Sequence, residues 1–185
     1  MLSQFSKEGE HKTLADLDFA FPKDAYPLGR LDADSEGMLL LTNDATINAR
    51  LLDPEKGHER EYLIQVDGEV TDEALAQLSR GVELSIDGKK FNTRPARALR
   101  AEPPTELPER NPPVRFRKAI PTSWISLSLT EGKNRQVRRM TAAVGFPTLR
   151  LLRVRIGALL LTGWTPGYVR ELSADDIRLT LQRKK

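Results

Sequence analysis

Six prolines lie within residues 102–123, and no other stretch of the chain constrains the fold as strongly. Proline fixes one backbone dihedral and has no N–H to donate, so this segment cannot form a regular helix or a central strand. The apolar patterns on its two sides look incomplete alone. We therefore interpret it as a long surface loop within one domain, and a loop of this length is uncommon unless it has a function.

The rest of the chain predicts short strands and helices in an irregular order. Apolar and polar residues alternate from Ser123 to Leu129, which is the pattern of a half-buried strand. Strands are predicted over residues 37–44 (a short buried strand), 59–70, 88–102 (a hairpin or a strand), 123–132, 148–161 (one or two strands) and 167–172. Helices are predicted over residues 45–54, 71–81, 134–146 and 173–182, with one further helical turn near residues 13–17. Because these elements do not form repeated βαβ units, the sequence predicts the α+β class.

Basic residues are concentrated in one part of the chain. From Gly132 to Arg170 there is no Asp or Glu, and this window contains eight Lys and Arg residues, although the net charge of the whole chain is only +3. A block of one sign predicts a polyanionic partner, most often nucleic acid. A solvated basic surface is the alternative.

Composition disfavours several other classes of protein. The chain has no Cys and only two His, which excludes disulfides, thiolate metal sites and a histidine-rich metal centre. No apolar run approaches the roughly 18 residues of a membrane span, and the first residues lack the apolar core of a signal peptide. The cytoplasm is therefore the expected location.

The segment LGRLDADSEGMLLLTND, residues 28–44, contains the first candidate for chemistry. Asp32 lies between two glycines, two residues after Arg30 and just before an apolar run. Glycines permit unusual backbone angles or close approach, so this placement is typical of a positioned carboxylate, with a solvated turn as the alternative. A calcium-type loop is rejected because Asn43 stands where the bidentate Glu would be needed.

The helix predicted over residues 134–146 carries the second candidate. Arg135, Arg138 and Arg139 have the spacing i, i+3 and i+4, so they share one helix face. Some of these cations are expected to bind phosphates, and one is expected to reach inward to Asp32 and keep it ionised. A basic surface helix is the alternative.

Three other side chains complete the set of candidates. Tyr62 presents a ring that can stack on a base, although most tyrosines at such strand positions belong to the core. Asp34 and Glu36 lie close to Asp32 in sequence. We hypothesise that they orient the loop and do not react.

Three motifs resemble those of the RsuA-type pseudouridine synthases, a family that modifies bacterial ribosomal RNA. They are GRLDADSEGMLLLTND, REYLIQVDGEV and LTEGKNRQVRRMTAAVGFPTLRLLRVRIG, in this order, and the similarity runs from about Leu2 to Leu172. The resemblance implies the pseudouridine synthase fold, with a mixed, mostly antiparallel sheet, flanking helices and a central RNA-binding cleft. It also implies isomerisation of a uridine to pseudouridine in large-subunit (23S) ribosomal RNA, with no cofactor and no metal.

The resemblance assigns roles to particular residues. Asp32 is implied to be the catalytic carboxylate, Tyr62 the tyrosine that stacks on the target base, and Arg138 the cation that pairs with Asp32. Arg30 is similar to an arginine that occupies the space of the flipped base until RNA binds. Contacts to RNA are predicted for Arg30, Lys133, Arg135, Arg139, Arg115 and Arg117. The last two lie in ERNPPVRFRKAIPTSW, residues 109–124, which we hypothesise to be a clamp that orders on binding RNA through Arg110, Arg115, Arg117 and Lys118.

Two departures from the family affect the expected domain organisation. The family begins with a strand that contains an NKP element, and Met1 falls in its place here, so a first strand is expected to be missing and a sheet edge to be unpaired. Many relatives also carry a small N-terminal RNA-binding module that this sequence lacks. We therefore expect a single catalytic domain over residues 1–185, acting as a monomer.

Two other functions remain as alternatives to a pseudouridine synthase. A non-catalytic ribosomal RNA-binding or ribosome-assembly protein needs the basic window and Tyr62 but not Asp32. A nucleoside glycosidase is disfavoured, because glycosidases need a second carboxylate about 5–9.5 Å away and the candidate partners of Asp32 are arginine and tyrosine. Whether Asp32 attacks or deprotonates the ribose, or adds to the base, is left open, as is the identity of the target uridine.

Overall fold

One six-stranded sheet is the framework of the molecule in the computed structural model, which describes residues 1–53, 57–86, 88–114, 121–161 and 163–181. The strands are β1 (Tyr26–Pro27), β2 (Glu36–Gly37), β3 (Leu41–Thr42), β4 (Arg60–Asp67), β5 (Glu83–Ile86), β6 (Lys89–Asn92), β7 (Arg97–Ala101), β8 (Thr122–Leu129), β9 (Thr148–Ile156) and β10 (Leu159–Leu160). The helices are α1 (Ala45–Leu52), α2 (Asp72–Arg80), α3 (Gln136–Ala143) and α4 (Ala174–Leu181), with one 3-10 turn at Leu14–Asp16.

The main sheet has the strand order β10-β9-β4-β8-β7, and each of these pairs is antiparallel. Strand β2 joins the same sheet by pairing parallel with β9. Two small two-stranded sheets, β1-β3 and β5-β6, lie beside it. The predicted α+β class and the mixed, mostly antiparallel sheet are confirmed.

The core lies on the face of the sheet that α2 and α3 cover. Ile64 of β4 and Ile125 and Leu127 of β8 are fully buried there, and they pack with Leu78 of α2 and Met140 of α3. Alternate residues of a strand point to opposite faces, so Tyr62, Ile64 and Val66 of β4 share the core face, whereas Leu63 lies on the other face. The alternation that predicted a half-buried strand at residues 123–129 is confirmed.

Polar side chains cap the helices where the sequence predicted them. Asp44 Oδ1 accepts a hydrogen bond of 2.7 Å from the backbone N–H of Thr46 at the start of α1. Thr71 Oγ1 does the same for α2, and Ser173 Oγ for α4. The helices within the described ranges all lack the length and apolarity needed to cross a membrane.

Residues 37–44 do not form the single buried strand that their apolar run predicted. Glu36–Gly37 pair with β9, whereas Leu41–Thr42 pair with Pro27 and Tyr26 in a different sheet. The three residues between them cross from one sheet to the other, so they have no continuous partner strand. The prediction was wrong because apolar residues can be buried in a crossing as well as in a strand.

The short strand predicted over residues 167–172 is absent from the structure, which describes all six of these residues. Tyr168 is 67% exposed, and its N–H bonds to the carbonyl of Thr165 within a turn. The Tyr168 ring is thus in solvent, and Leu172 packs against a second cluster of buried residues that includes Ile156 and Leu159 without pairing to a strand. The prediction was therefore wrong.

The proline-rich segment has no helix or strand over residues 102–114 and 121, and its last two residues, Thr122 and Ser123, begin β8. It is tied to the rest of the molecule by arginines. Arg150 donates a 2.8 Å hydrogen bond to the carbonyl of Pro108, and Arg110 donates one of 3.2 Å to the carbonyl of Asp34. The segment is thus the predicted long loop, and it contacts the loop that carries Asp32.

Candidate active site

A cavity of about 610 Å³ lies between the Asp32 loop, strands β4, β6 and β9, and the start of α3. Five residues chosen from the sequence line it: Arg30, Asp32, Tyr62, Lys133 and Arg135. They come from three distant parts of the chain, and the fold brings them to one place. Arg153 of β9 also lines the cavity.

Backbone hydrogen bonds to β9 hold the Asp32 loop in place. The N–H of Met38 donates a 2.8 Å bond to the carbonyl of Arg153, and Gly37 stands opposite Arg153 in the parallel pair of β2 and β9. Gly37 has a φ of +97°, and a Cβ there would overlap the backbone oxygen of Arg153. Only glycine allows the loop to approach the strand this closely.

The near end of the loop is fixed by a serine side chain and by a turn. Ser3 Oγ accepts a 2.9 Å hydrogen bond from the N–H of Leu31 and donates one of 3.1 Å to its carbonyl. Next to it, the N–H of Ser35 donates to the carbonyl of Asp32 at 2.9 Å and closes a tight turn. The Asp32 carboxylate is therefore held by ordered backbone on both sides.

Two arginines of the α3 segment reach the Asp32 carboxylate. Arg135 Nη1 lies 3.4 Å from Asp32 Oδ2, and Arg138 Nε lies 4.0 Å from the same oxygen. The Arg138 side chain is largely buried, and its Nε has no hydrogen-bond partner among the described residues. The sequence paired Asp32 with Arg138, and the structure adds Arg135 as the nearer cation.

Asp34 makes the stronger contacts with these arginines. Its carboxylate accepts two hydrogen bonds of 3.0 Å from Arg135, and its carbonyl accepts one of 2.8 Å from Arg138. The hydrogen bonds from Arg135 are the main cause that holds the pKa of Asp34 below its ordinary value. Burial lowers the pKa of the Arg138 guanidinium, and the charge of Asp34 opposes this effect. Asp34 thus orients the two cations that reach Asp32.

Glu36 fixes the far end of the loop. Its carboxylate accepts hydrogen bonds of 2.9 and 2.8 Å from Arg150 of β9, and Arg110 Nε lies 3.6 Å from Glu36 Oε1. The contacts of Asp34 and Glu36 are those of side chains that orient a loop. They agree with the hypothesis made from the sequence.

Tyr62 is half-buried on the cavity side of β4. It stands opposite Arg153 of β9 on one side and opposite Leu127 of β8 on the other. Its ring therefore lies where the apolar core meets the cavity, with the buried Arg153 beside it. An aromatic surface in this position can receive a flat, partly polar ligand.

The other predicted RNA contacts do not all lie in the cavity. Lys133 lines it, and its ammonium lies 5.5 Å from the centroid of the Phe91 ring. Arg139 instead bonds to the carbonyl of Ser85 at 2.7 Å and so ties α3 to the β5-β6 hairpin. Arg115 and Arg117 lie outside the described residues.

Three arginines near the cavity make strong contacts that the sequence did not predict, although Arg110 was expected to belong to the RNA-binding clamp. Arg110 and Arg150 hold the loop at Glu36, and Arg153 lies between that loop and Tyr62. A signal for two of them was available, because buried strands seldom contain arginine and RLLRVRI has three. Acidic side chains do not form a metal-binding cluster within the described part of the chain.

Comparison with known proteins identifies a family. The family model described as RNA pseudouridylate synthase matches residues 4–143. Two curated relatives are named Ribosomal large subunit pseudouridine synthase E. The one from Vibrio vulnificus is 49% identical over 93% of this chain and 70% of its own length. The one from Xanthomonas axonopodis pv. citri is 48% identical over 90% of this chain and 85% of its own length.

A more distant relative and a solved structure are similar to the same chain. Ribosomal large subunit pseudouridine synthase B of Bacillus subtilis is 34% identical over 96% of this chain and 66% of its own length. A crystal structure of a pseudouridylate synthase superimposes with a TM-score of 0.70 at 28% identity. That match covers 88% of this chain and 63% of the crystallised one.

Proposed function

This chain belongs to the RNA pseudouridylate synthase family, and from that premise we propose that it isomerises a uridine of large-subunit ribosomal RNA to pseudouridine. The observation that carries the proposal is the identity of 47–49% with four relatives that are each named Ribosomal large subunit pseudouridine synthase E. Each of these alignments covers at least 90% of this chain. The cavity contains a carboxylate, an aromatic ring and several cations, which suit this reaction.

The reaction detaches the uracil from its ribose and rejoins it through another atom. The N1–C1′ bond breaks, the base turns over, the C5–C1′ bond forms, and the proton on C5 is replaced by one on N1. A uridine in structured RNA must first leave its stack, which costs a few kcal/mol. Stacking on the Tyr62 ring can return about 1–3 kcal/mol of this cost.

We assign the central role to Asp32 and supporting roles to the two arginines beside it. The carboxylate attacks or deprotonates the ribose, or it adds to the uracil ring. Each of these roles requires that it be ionised. Arg135 at 3.4 Å and Arg138 at 4.0 Å place positive charge beside the carboxylate and help to fix its direction. Lys133, Arg30 and Arg135 at the cavity are then available for phosphates of the bound RNA.

The test is to incubate the purified protein with transcribed large-subunit ribosomal RNA and to map pseudouridine along it. Formation at one or a few positions by the wild type, and at none by Asp32→Asn, supports the proposal. RNA affinity is measured for both proteins in parallel. Absence of product with either protein, on naked RNA and on ribosomal particles, would refute it.

The same assay separates the alternatives. A non-catalytic ribosomal RNA-binding protein binds the transcript and leaves every uridine unchanged. A nucleoside glycosidase releases free uracil, which chromatography of the supernatant detects. We expect neither result, because the four relatives at 47–49% identity are all named as pseudouridine synthases, and because the second nearby carboxylate, Asp34, is held by two hydrogen bonds from Arg135.

The organisation of the enzyme follows from the same proposal. We propose that residues 1–185 form one catalytic domain that acts as a monomer in the cytoplasm, where ribosomal RNA is made. The described residues share one main sheet and its two flanking helices, which supports a single domain. Light scattering of the protein with and without RNA tests the oligomeric state.

A further inference from the structure

Strand β9 carries three buried arginines, and they differ in their partners. Arg150 is 7% exposed and makes a two-bond ion pair with Glu36. Arg155 is also 7% exposed and pairs with two glutamates at 2.6 and 2.8 Å. Arg153 is 4% exposed and has no carboxylate within ion-pair distance among the described residues.

The contacts of Arg153 satisfy only part of its guanidinium. Nε donates a 2.8 Å hydrogen bond to the carbonyl of Met38, whereas Nη2 is buried and has no hydrogen-bond partner in the described part of the chain. Burial lowers the pKa of this guanidinium, and interaction with the Tyr62 side chain opposes that shift. The charge of Arg60 acts on this pKa in the same direction as burial.

A buried cation without a carboxylate is costly to the folded protein. Removing a charged group from water costs several kcal/mol, and an ion pair or hydrogen bonds normally offset this cost. Arg150 and Arg155 follow that rule on the same strand, so the strand itself does not forbid pairing. The unpaired charge of Arg153 lies at the cavity, which indicates a use there.

Arg153 contacts both parts of the candidate active site, the strand that carries Tyr62 and the loop that carries Asp32. Across β4 and β9 it stands directly opposite Tyr62. Through its side chain and its backbone it bonds to Met38, which follows the Asp32 loop. A change at Arg153 therefore reaches the ring that receives the base and the loop that holds the carboxylate.

The chemistry of the proposed function creates a negative charge in this cavity. When the N1–C1′ bond breaks, its electron pair remains with the uracil, whose carbonyl oxygens share the charge. If Asp32 instead adds to the base, the electron pair of the C5–C6 double bond moves onto the same conjugated system. The base is therefore anionic at an intermediate stage in each pathway, and a fixed cation in a site of low dielectric constant stabilises such a charge strongly.

We propose that Arg153 has two effects: it holds Tyr62 and the Asp32 loop in register, and it supplies the positive charge that stabilises the anionic uracil. This inference rests on the proposed function. It predicts that the charge of Arg153 affects the chemical step, while the binding of RNA depends on other cations.

The experiment compares Arg153→Met, Arg153→Lys and the control Arg155→Gln in single-turnover assays on transcribed large-subunit ribosomal RNA. RNA affinity and the melting temperature are measured for each protein. Arg153→Met is expected to lower the rate constant on the order of 100-fold, with RNA affinity unchanged. Arg153→Lys keeps the charge and is expected to recover at least about tenfold of that loss. Arg155→Gln is expected to lower the melting temperature and to leave the rate within about threefold of wild type.

Two results would overturn the inference about Arg153. One is a Met variant as fast as wild type. The other is a Lys variant as slow as the Met variant, because the charge would then be irrelevant. If wild type itself forms no pseudouridine, the proposed function fails and this inference with it. An active wild type with an inactive Asp32→Asn and a fully active Arg153→Met removes only the role of Arg153.

Discussion

Arg135 and Asp34 lie 101 positions apart in sequence and form two parallel hydrogen bonds of 3.0 Å. Arg135 is also the one non-glycine residue with a positive φ, +50°, among the residues that the structure describes. A left-handed backbone is unfavourable for arginine by about 1–2 kcal/mol, so neighbouring contacts must stabilise it. The ion pair with Asp34 does so, and it leaves Arg135 3.4 Å from Asp32. The Asp34 carboxylate thus positions Arg135, the cation that lies beside the Asp32 carboxylate.

The pH dependence of stability should report on this pair. The pKa of Asp34 is lowered in the folded protein, whereas an unfolded Asp titrates near about 3.9. The stabilisation is therefore present above about pH 4 and is lost as the pH falls through the folded value. We expect Asp34→Asn to melt below wild type at pH 7 and the difference to shrink below about pH 4.

The exposed Asp175 offers a matched control for that measurement. Its side chain is 82% exposed in α4, and its contact with Arg178 lies at the surface. Asp175→Asn should therefore follow the wild-type melting curve closely at every pH. A constant difference between wild type and Asp34→Asn from pH 7 to pH 3 would contradict the expected role of the pair.

Asp32→Asn should abolish the chemistry and preserve the complex with RNA. The amide keeps the shape of the carboxylate but cannot act as a base or nucleophile, so the rate should fall on the order of 100- to 10,000-fold. RNA affinity should change little, because losing a negative charge removes no phosphate contact. Single-turnover rates and filter binding on one transcript measure both quantities, and an active variant excludes Asp32 from the mechanism.

Gly37→Ala should separate the Asp32 loop from β9. The added methyl group would overlap the backbone oxygen of Arg153 and lie 2.6 Å from its nitrogen, at a φ of +97°. We expect a loss of more than about 2 kcal/mol in the free energy of unfolding, together with loss of activity. Gly145→Ala is the control, because Gly145 has a similar φ of +91° and open space around it. Equal losses for the two variants in urea unfolding would show that the close approach to β9 is unimportant.

Lys133→Ala should weaken the binding of RNA through the loss of one phosphate contact. The slope of log affinity against log salt should fall by about 0.7 to 0.9, whereas the melting temperature should stay close to that of wild type. Arg178→Ala removes an equal charge from α4, where the side chain is 75% exposed, and should leave the slope unchanged. An unaltered slope for Lys133→Ala would place its ammonium away from the phosphates.

Local patterns predicted the elements whose partners lie close in sequence or face one core. The alternation in β8 and the caps Asp44 and Thr71 each involve forces that act within a few residues. The segment 37–44 was misjudged because its two ends pair with strands of different sheets. An apolar run indicates that its residues are buried, but it does not indicate which elements cover them.

The sequence predicted which residues belong to the candidate site better than it predicted the contacts between them. The motifs indicated Asp32, Tyr62 and the arginines at 135, 138 and 139. The structure brings Asp32, Tyr62 and Arg135 around one cavity and places Arg138 4.0 Å from Asp32, whereas Arg139 bonds to Ser85. The preference of Arg135 for Asp34 depends on the left-handed backbone at residue 135, which no periodicity reveals. The role proposed for Arg153 depends on the lack of a carboxylate partner within the described ranges, which the sequence alone does not reveal.

The hydrogen bond from Arg110 to the carbonyl of Asp34 connects the proline-rich segment to the candidate active site. A displacement of that segment is transmitted through the Arg110 guanidinium to the turn that carries Asp32. The chain contains no cysteine, so a single thiol introduced at the exposed Glu106 would be a unique attachment point for a dye. A dye attached there would lie on the outer surface and would report changes at the Asp32 loop when RNA binds. It would leave every residue of the cavity unaltered.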